Sequence, residues 1–394
     1  MKLASRMSRL GTETAFEVLS RAKSLEKLGR NIIHLEIGEP DFDTPQHIID
    51  EAVHALNHHG THYTPSAGIP ELRAAIAHYI NRTREVDVSP DNVVVVPGGK
   101  PIIFFAIQAL VNQGEEVIYP NPGFPIYESM INFIGARAVP IPLKMEREFA
   151  FDLNDLERLI TPKTRMLILN SPANPTGGVM NRADLEQIAQ LVISHDLIVL
   201  SDEIYSRILY EGEFCSIASL PGMLERTIIL DGFSKTYAMT GWRLGYGVMP
   251  VDVAQAISRL VTNSVSCTGT ATQIAGVKAL TAPQDDVDVM VAKFKERRDL
   301  IVNGLNQIPG FQCLMPKGAF YAFPHIAATG MKAKDLADYL LADASVATLA
   351  GTAFGHYGEG FLRLSYANSR ENINKALDRI DVAVRKIERK PVHA

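Results

Sequence analysis

The sequence is poor in cysteine and has no recognisable metal-binding pattern. Its three cysteines, Cys215, Cys267 and Cys313, form no CxxC or Cys/His spacing. The histidines His54, His58 and His59 lack an H-E-x-x-H arrangement. We therefore expect reduced thiols in a cytoplasmic protein and no bound metal.

Long apolar runs and an excess of basic charge are also missing. No stretch approaches the roughly 20 apolar residues of a membrane span, and the N-terminus lacks the apolar core of a secretory signal. Lysine and arginine total 39 against 44 aspartates and glutamates, a formal net charge of -5. We expect neither a membrane nor nucleic acid as a partner.

The chain does contain a regular alternation of short apolar runs and longer amphipathic stretches. Seven such runs lie at 93–96, 117–119, 138–143, 166–169, 198–200, 228–230 and 245–249. This alternation indicates an α/β fold with a mainly parallel seven-stranded sheet covered by helices on both faces. We expect a large α/β domain over residues 46–283 and a smaller α+β domain over residues 284–394. The N-terminal segment, residues 1–45, should contribute to the smaller domain.

Polar residues follow three of these runs, at the sheet edge where ligands bind in open α/β folds. Asn174 lies after the run 166–169, Asp202 and Tyr205 follow the run 198–200, and Lys235 follows the run 228–230. Each has a plain structural explanation by itself: a rigid turn, a helix cap beside a core tyrosine, or a solvated lysine. A desolvated lysine at a strand end is a nucleophile, however, because burial lowers the pKa of its amine.

Three further features suit the binding of anions. The turn Gly98-Gly99-Lys100 lies between a predicted strand and a predicted helix, where free N–H groups favour phosphate. Arg243 and Arg363 carry guanidinium forks that bind phosphate or carboxylate. Together with the strand-end residues, they match the needs of pyridoxal phosphate: a lysine, an acid for the pyridine nitrogen and a phosphate cradle.

At these residues the sequence resembles the class I/II aminotransferases of the aspartate aminotransferase superfamily, the fold-type I pyridoxal phosphate enzymes. The stretch SKTYAMTGWRLG at 234–245 is similar to the family's cofactor-attachment signature. NPTG at 174–177 and DEIY at 202–205 occur in the family's order. The resemblance covers essentially the whole chain. It implies a ping-pong enzyme that moves an amino group from an L-amino acid to a 2-oxo acid.

The resemblance also implies roles for the strand-end residues. Lys235 would hold the cofactor as a Schiff base and shuttle a proton at the substrate's Cα. Asp202 would keep the pyridine nitrogen protonated, and Tyr205 and Asn174 would hydrogen-bond the ring hydroxyl.

By the same resemblance, the remaining residues would bind the phosphate, the ring or the substrate. Ser234, Arg243 and the turn Gly98-Gly99-Lys100 would bind the phosphate, and Phe124 would stack on the ring. Arg363 would pair with the substrate's α-carboxylate, with Gly38, Phe124 and Asn174 also in contact with the substrate. Tyr63 is similar to a tyrosine that reaches the phosphate of a neighbouring subunit, which implies a homodimer.

Two positions bear on the choice of substrate. Phe124 stands where aspartate-specific relatives commonly have tryptophan, so an indole N–H donor is lost. Lys100 matches a lysine that contacts the distal carboxylate of dicarboxylic substrates in some bacterial relatives. Glu17 falls near a position where those relatives have a hydroxyl group, and a carboxylate there would repel aspartate. Both positions argue against specificity for aspartate.

Two other functions stay open. A lyase on the same scaffold would use the same carbanion to expel a β or γ leaving group. A nucleotide-binding dehydrogenase or a non-catalytic binding module would also use a doubly wound sheet. The chain, however, has neither G-x-G-x-x-G after a strand nor G-x-x-x-x-G-K-[ST].

Overall fold

One large sheet and two small ones organise residues 1–388, the part of the chain that the computed structural model describes. The strands are β1 Ile33–His34, β2 Val93–Val96, β3 Glu116–Asn121, β4 Arg137–Pro142, β5 Thr164–Asn170, β6 Ile198–Asp202, β7 Thr227–Gly232, β8 Gly245–Val248, β9 Tyr321–Ala322, β10 Val346–Ala347, β11 Leu349–Ala350 and β12 Leu362–Ser365. The large sheet has the order β2-β8-β7-β6-β5-β3-β4, and within it β8 alone runs antiparallel to its neighbours. All seven predicted runs are strands of this sheet, which confirms the α/β fold class.

Helices cover both faces of the large sheet. The helices of the described residues, including those of the smaller core, are α1 Thr14–Lys27, α2 Gln46–Asn57, α3 Pro70–Arg84, α4 Lys100–Leu110, α5 Ile126–Ile134, α6 Leu153–Leu159, α7 Arg182–Ser194, α8 Val251–Ser264, α9 Thr270–Thr281, α10 Asp285–Leu305, α11 Ala333–Tyr339 and α12 Arg370–Glu388. Val94 and Val96 of β2 pack with α4, α5 and α8, whereas Val93 and Val95 pack with α2, α3 and α9. Burial on both faces explains why this strand is a continuous apolar run. Across the described range, no helix combines the length and apolar composition of a membrane span.

The C-terminal part of the chain packs around a second, smaller core. Strands β11, β12 and β9 form an antiparallel sheet, and their buried residues join those of α10 and α12. β1 pairs in parallel with β10, with Ile33 opposite Val346. The segment before α1 instead contacts α5, where the Nε of Arg9 donates to the carbonyl of Asn132 at 2.9 Å. Residues 1–45 thus contact both parts of the molecule, and the domain limits stay a prediction.

The register of the parallel strands brings the predicted strand-end residues to one edge of the sheet. Asn170 at the end of β5 lies opposite Asp202 at the end of β6, and Asp202 lies opposite Leu230 of β7. Lys235 follows β7 directly, and α4 begins next to this edge after β2. The fold therefore collects residues that are far apart in sequence around one point.

Candidate active site

A cavity of about 640 Å³ opens at the carboxyl edge of β5, β6 and β7. Most of the residues predicted for the site line it, namely Gly38, Gly99, Lys100, Phe124, Asn174, Asp202, Tyr205, Ser234, Lys235, Arg243 and Arg363. Gly98 lies directly behind the guanidinium of Arg243, whereas Tyr63 lies outside the cavity and is 88% exposed. The structure thus brings together all but one of the predicted residues in a single chain.

Lys235 extends into the cavity from the turn after β7. Its Nζ donates to the carbonyl oxygen of Gly38 at 2.5 Å. Burial lowers the pKa of Lys235 to about 8; the carboxylate of Glu39 opposes this shift, and the charges of Arg363 and Lys100 add to it. A larger fraction of this amine is therefore neutral and nucleophilic near neutral pH than for a solvated lysine.

Asp202 is a buried carboxylate at the end of β6. Its Oδ2 accepts a hydrogen bond from the Tyr127 hydroxyl at 2.6 Å, and its Oδ1 accepts one from the Ile204 backbone N–H at 3.3 Å. Burial raises the pKa of Asp202 to about 6, and the bond from Tyr127 partly offsets that effect. Within residues 1–388 no side-chain cation forms an ion pair with Asp202. A buried carboxylate that faces a cavity and has no ion-pair partner suits a ligand that brings a positively charged N–H group.

Tyr205 and Asn174 lie beside Asp202 and are held by further polar groups. The hydroxyl groups of Tyr205 and Tyr321 lie 2.7 Å apart. The backbone N–H of Asn174 donates to the Asn170 side chain at 2.9 Å, and its side-chain oxygen accepts from Arg363 at 3.1 Å. These bonds fix the direction of a phenol and an amide at the wall of the cavity, where a ligand hydroxyl group can contact both.

Arg363 projects from β12 into the other side of the cavity. One of its terminal nitrogens donates to Asn174 Oδ1 at 3.1 Å, and the other donates to the carbonyl of Glu36. Its guanidinium carbon lies 4.5 Å from the centre of the Tyr321 ring and 4.9 Å from that of Phe354. Its buried Nε has no hydrogen-bond partner, and in the described range no carboxylate forms an ion pair with it. A desolvated guanidinium with an unused N–H predicts an anionic ligand such as a carboxylate.

The end of the cavity nearest α4 is suited to phosphate. Gly98 has a φ of +84°, and a Cβ there would lie 2.7 Å from the guanidinium carbon of Arg243. Arg243 also has a positive φ of +53°, and it donates to the carbonyl of Thr240 at 2.8 Å. Ser234 and Gly99 line the same end, next to the first turn of α4. The cavity therefore offers free N–H groups at the start of α4, a guanidinium beside Gly98 and the hydroxyl of Ser234 for an anion.

The Lys100 side chain, from the first residue of α4, and the N-terminal segment form a second part of the cavity, the side-chain end. Lys100 pairs with Glu13, and its Nζ lies 5.5 Å from the centre of the Phe124 ring and 5.9 Å from that of Phe16. The expectation that Glu17 supplies the carboxylate is wrong, because Glu17 is exposed and does not line the cavity. Glu13 directly precedes α1, which begins at Thr14, and it lines the cavity. Glu17 lies one helical turn further along α1, outside the lining.

Sequence reasoning gave no role to several residues that shape the cavity. Asn170 had a usable signal, since it directly follows the predicted run 166–169. Tyr127 follows Phe124 by three residues and therefore lies close to it in the turn that begins α5. Glu13 and Tyr321 gave no signal, because contacts between distant parts of the chain place them at the cavity.

This fold and this cavity define the chain as a fold-type I enzyme. The chain matches the family model for aminotransferases of class I and II over residues 30–380. It is 41% identical to an aspartate aminotransferase of Pyrococcus abyssi over 90% of this chain and 92% of that protein. It is 40% identical to aromatic-amino-acid aminotransferase 2 of Thermococcus litoralis over 97% and 98% of the two chains.

A solved structure gives the same result. The aspartate aminotransferase of Thermus thermophilus with maleate has a TM-score of 0.94 at 37% identity, over 97% of this chain and all of that one. The protein belongs to the class I and II aminotransferases, and it is a pyridoxal phosphate-dependent transaminase that moves amino groups from amino acids to 2-oxo acids. The family assignment takes precedence over the two functions that the sequence left open, a nucleotide-binding protein and a lyase.

Proposed function

We propose that the cavity binds pyridoxal 5'-phosphate through the residues described above and uses it on L-amino acids with uncharged, preferably aromatic, side chains. One observation carries the assignment of the cofactor site. Lys235, with its lowered pKa, faces the same cavity as Asp202, a buried carboxylate that lacks a cation. The two groups match the aldehyde and the pyridine nitrogen of this cofactor.

The other groups of the cavity complete the fit. Asp202 holds a proton on the pyridine nitrogen, and Tyr205 and Asn174 donate to the ring hydroxyl. Phe124 lies against the ring face. The phosphate is held by Ser234, Arg243 and the turn at 98–100. When bound, pyridoxal phosphate takes up the electron pair released at the substrate's Cα and carries the amino group between the two substrates.

Lys235 has two tasks in this scheme. Its neutral amine would hold the cofactor covalently until a substrate amine replaces it. Lys235 is then free to accept the proton from Cα and to return it, as a general base and acid. A pKa of about 8 suits this exchange, since both forms of the amine are populated near neutral pH.

Arg363 binds and orients the substrate. Its unused Nε and its planar fork suit the α-carboxylate in a bidentate pair. Asn174 and the backbone of Gly38 border the same space. Holding the carboxylate here would orient the substrate's Cα toward Lys235.

The choice of side chain follows from Glu13 and Lys100. Glu13 pairs with Lys100, the lysine expected to bind a distal carboxylate, and an acidic substrate would meet the negative charge of Glu13 there. Phe16 and Phe124 lie beside Lys100, and Phe354 also lines the cavity, so these rings suit an aromatic side chain. The names of the relatives do not decide between the two classes, since an aspartate enzyme and an aromatic one are 41% and 40% identical to this chain.

We also propose a homodimer in which Tyr63 donates to the phosphate bound in the neighbouring subunit. Tyr63 is 88% exposed, and the apolar side chains of Val53 and Leu56 on α2 are 51% and 55% exposed. Replacing Tyr63 with phenylalanine should raise the Kd for pyridoxal phosphate about tenfold, as expected for one lost hydrogen bond to a charged group. Sedimentation should give twice the chain mass, and a monomer with full activity would contradict the proposal.

An absorbance experiment tests the proposed function. Purified protein with pyridoxal phosphate should show a band of the bound cofactor that single L-amino acids remove and a 2-oxo acid restores. Lys235→Ala should lack this response, whereas Lys375→Ala, an exposed lysine paired with Glu371 on α12, should keep it. Release of ammonia with a 2-oxo acid, in the absence of any acceptor, would instead indicate a lyase.

A further inference from the structure

A buried cluster of three charged residues lies on the far side of the sheet from the cavity. Arg84, at the end of α3, lies between Glu203 and Asp231, and the three side chains are 1%, 1% and 3% exposed. The Nε of Arg84 donates to Glu203 at 2.9 Å, and a terminal nitrogen donates to Asp231 at 2.7 Å. None of the three lines the cavity.

The register of the sheet places this cluster directly behind the proposed active site. Asp202 of β6 lies opposite Leu230 of β7, and both line the cavity. Asp231 is the next residue of β7, and Glu203 is the first residue after β6, where its N–H donates to the carbonyl of Leu230 at 2.8 Å and continues the pairing. The side chains of Glu203 and Asp231 therefore point to the opposite face as neighbours. Two adjacent carboxylates on one face repel each other. Arg84 is the cation that lets the two strand ends lie side by side.

Arg84 also contacts the loop that carries a second site residue. Its terminal nitrogen donates to the Ser206 hydroxyl at 2.7 Å, and Ser206 follows Tyr205 directly. On the other strand, Lys235 comes four residues after Asp231. One guanidinium therefore joins the strand end that holds Asp202 and Tyr205 to the strand end that leads to Lys235.

The cluster is fully hydrogen-bonded, so it has one defined arrangement. The second oxygen of Glu203 accepts from Ser201 at 3.0 Å and from Ser216 at 2.5 Å. The second oxygen of Asp231 accepts from the Gly232 backbone N–H at 2.7 Å. A buried network with every polar atom satisfied is rigid, and it resists displacement of either strand end.

We infer that Arg84, together with Glu203 and Asp231, is a positioning group that sets the distance between the Asp202 carboxylate and the Lys235 amine. The inference rests on the proposed binding of pyridoxal phosphate, because these two groups must reach opposite ends of one ring. Small displacements matter here, since a misplacement of about 1 Å can cost about 100-fold in rate.

Three variants test the inference. Arg84→Lys keeps the charge but cannot join both carboxylates and Ser206. Because Arg84→Met alone would leave two buried carboxylates unpaired and endanger folding, we pair it with Glu203→Gln and Asp231→Asn in one triple variant. Arg73→Met is the control: Arg73 is on the same helix and pairs with Asp91 away from the cavity.

Each protein is characterised by thermal unfolding, the Kd for pyridoxal phosphate, the absorbance band of the bound cofactor, kcat and KM. We expect Arg84→Lys and the triple variant to lose about 10- to 100-fold in kcat, with a displaced band, a higher Kd and little change in KM. Arg73→Met should match the wild type. A folded triple variant with the band, Kd and kcat of the wild type would overturn the inference, because the cluster would then only stabilise the fold. If the wild type itself binds no pyridoxal phosphate, the proposed function fails as well.

Discussion

The two ends of the cavity are built in different ways. At the cofactor end, Asp202 and Asn174 follow strand ends, are buried and have fixed hydrogen-bond partners. At the side-chain end, the Lys100 side chain is 41% exposed, and its partner Glu13 comes from a segment 87 residues earlier in the chain. The first arrangement has a single geometry, whereas the second can change with little effect on the core.

This difference suits the cofactor end to the reaction and the side-chain end to the choice of substrate. The reaction at Cα needs the same groups for every amino acid, so it belongs at the end where the sheet fixes them. The side chain of the substrate meets an ion pair and aromatic rings at the open end. Changes at the cofactor end should therefore affect all substrates alike, and changes at the side-chain end should affect some substrates only.

The largest expected effect at the cofactor end is that of Lys235→Ala. Removing the amine removes both the covalent attachment and the proton carrier, so transamination should fall at least about 1,000-fold. The loss should be equal for aromatic, aliphatic and acidic amino acids. Steady-state rates with each donor measure this loss. A loss confined to one class of donor would contradict the view that the cofactor end serves all substrates alike.

Asp202→Asn should have the next largest effect. The amide cannot stabilise a protonated pyridine nitrogen, so kcat should fall about 100-fold for every donor. The buried carboxylate is also lost, and the apo protein should be at least as stable as the wild type, because burial disfavours the ionised form. Parallel measurements of kcat and thermal unfolding check both parts.

Tyr127→Phe should also impair the cofactor end, but by a smaller factor than Asp202→Asn. It removes the hydrogen bond to Asp202, which holds the pKa of that carboxyl down, so the pKa should rise further above 6. The Kd for pyridoxal phosphate should rise about tenfold, the value for one hydrogen bond to a charged group. Tyr339→Phe, whose hydroxyl donates to the carbonyl of Ala383, is the control and should leave the Kd unchanged.

The pH dependence of cofactor binding should report the pKa of Lys235. Burial lowers it from 10.5 to about 8, with Glu39, Arg363, Lys100 and Arg243 as the charged groups that surround the amine. The neutral amine is the attacking form, so the rate at which apo protein binds pyridoxal phosphate should rise about fivefold from pH 7 to pH 8 and level off above pH 9. A rate that keeps rising to pH 10 would indicate an ordinary lysine.

The sequence predicts the cofactor end well, for a physical reason. Parallel strands place their carboxyl ends at one edge, so polar residues after buried runs must meet there. Asn174, Asp202, Tyr205 and Lys235 can therefore be selected by their positions along the chain, and the seven strands follow from their apolar runs.

The side-chain end was harder to predict, because no local pattern reports it. Whether residue 13 or residue 17 reaches Lys100 depends on where α1 begins and how it packs, and the choice of Glu17 was wrong by one helical turn. Arg84 shows the same limit: its partners lie 119 and 147 residues away, and only the sheet register brings them together.

In the proposed function, Glu13 selects against acidic substrates and takes no part in the chemistry at Cα. The most direct test of this claim is the single-turnover rate at which phenylalanine and aspartate, each added alone, remove the absorbance band of the bound cofactor. We predict that the wild type reacts faster with phenylalanine, and that Glu13→Gln raises the rate with aspartate about tenfold while the rate with phenylalanine changes little. Glu17→Gln, the matched exposed control, should change neither rate. A wild type that reacts with aspartate as fast as with phenylalanine, or a Glu13→Gln variant that slows both, would contradict the account.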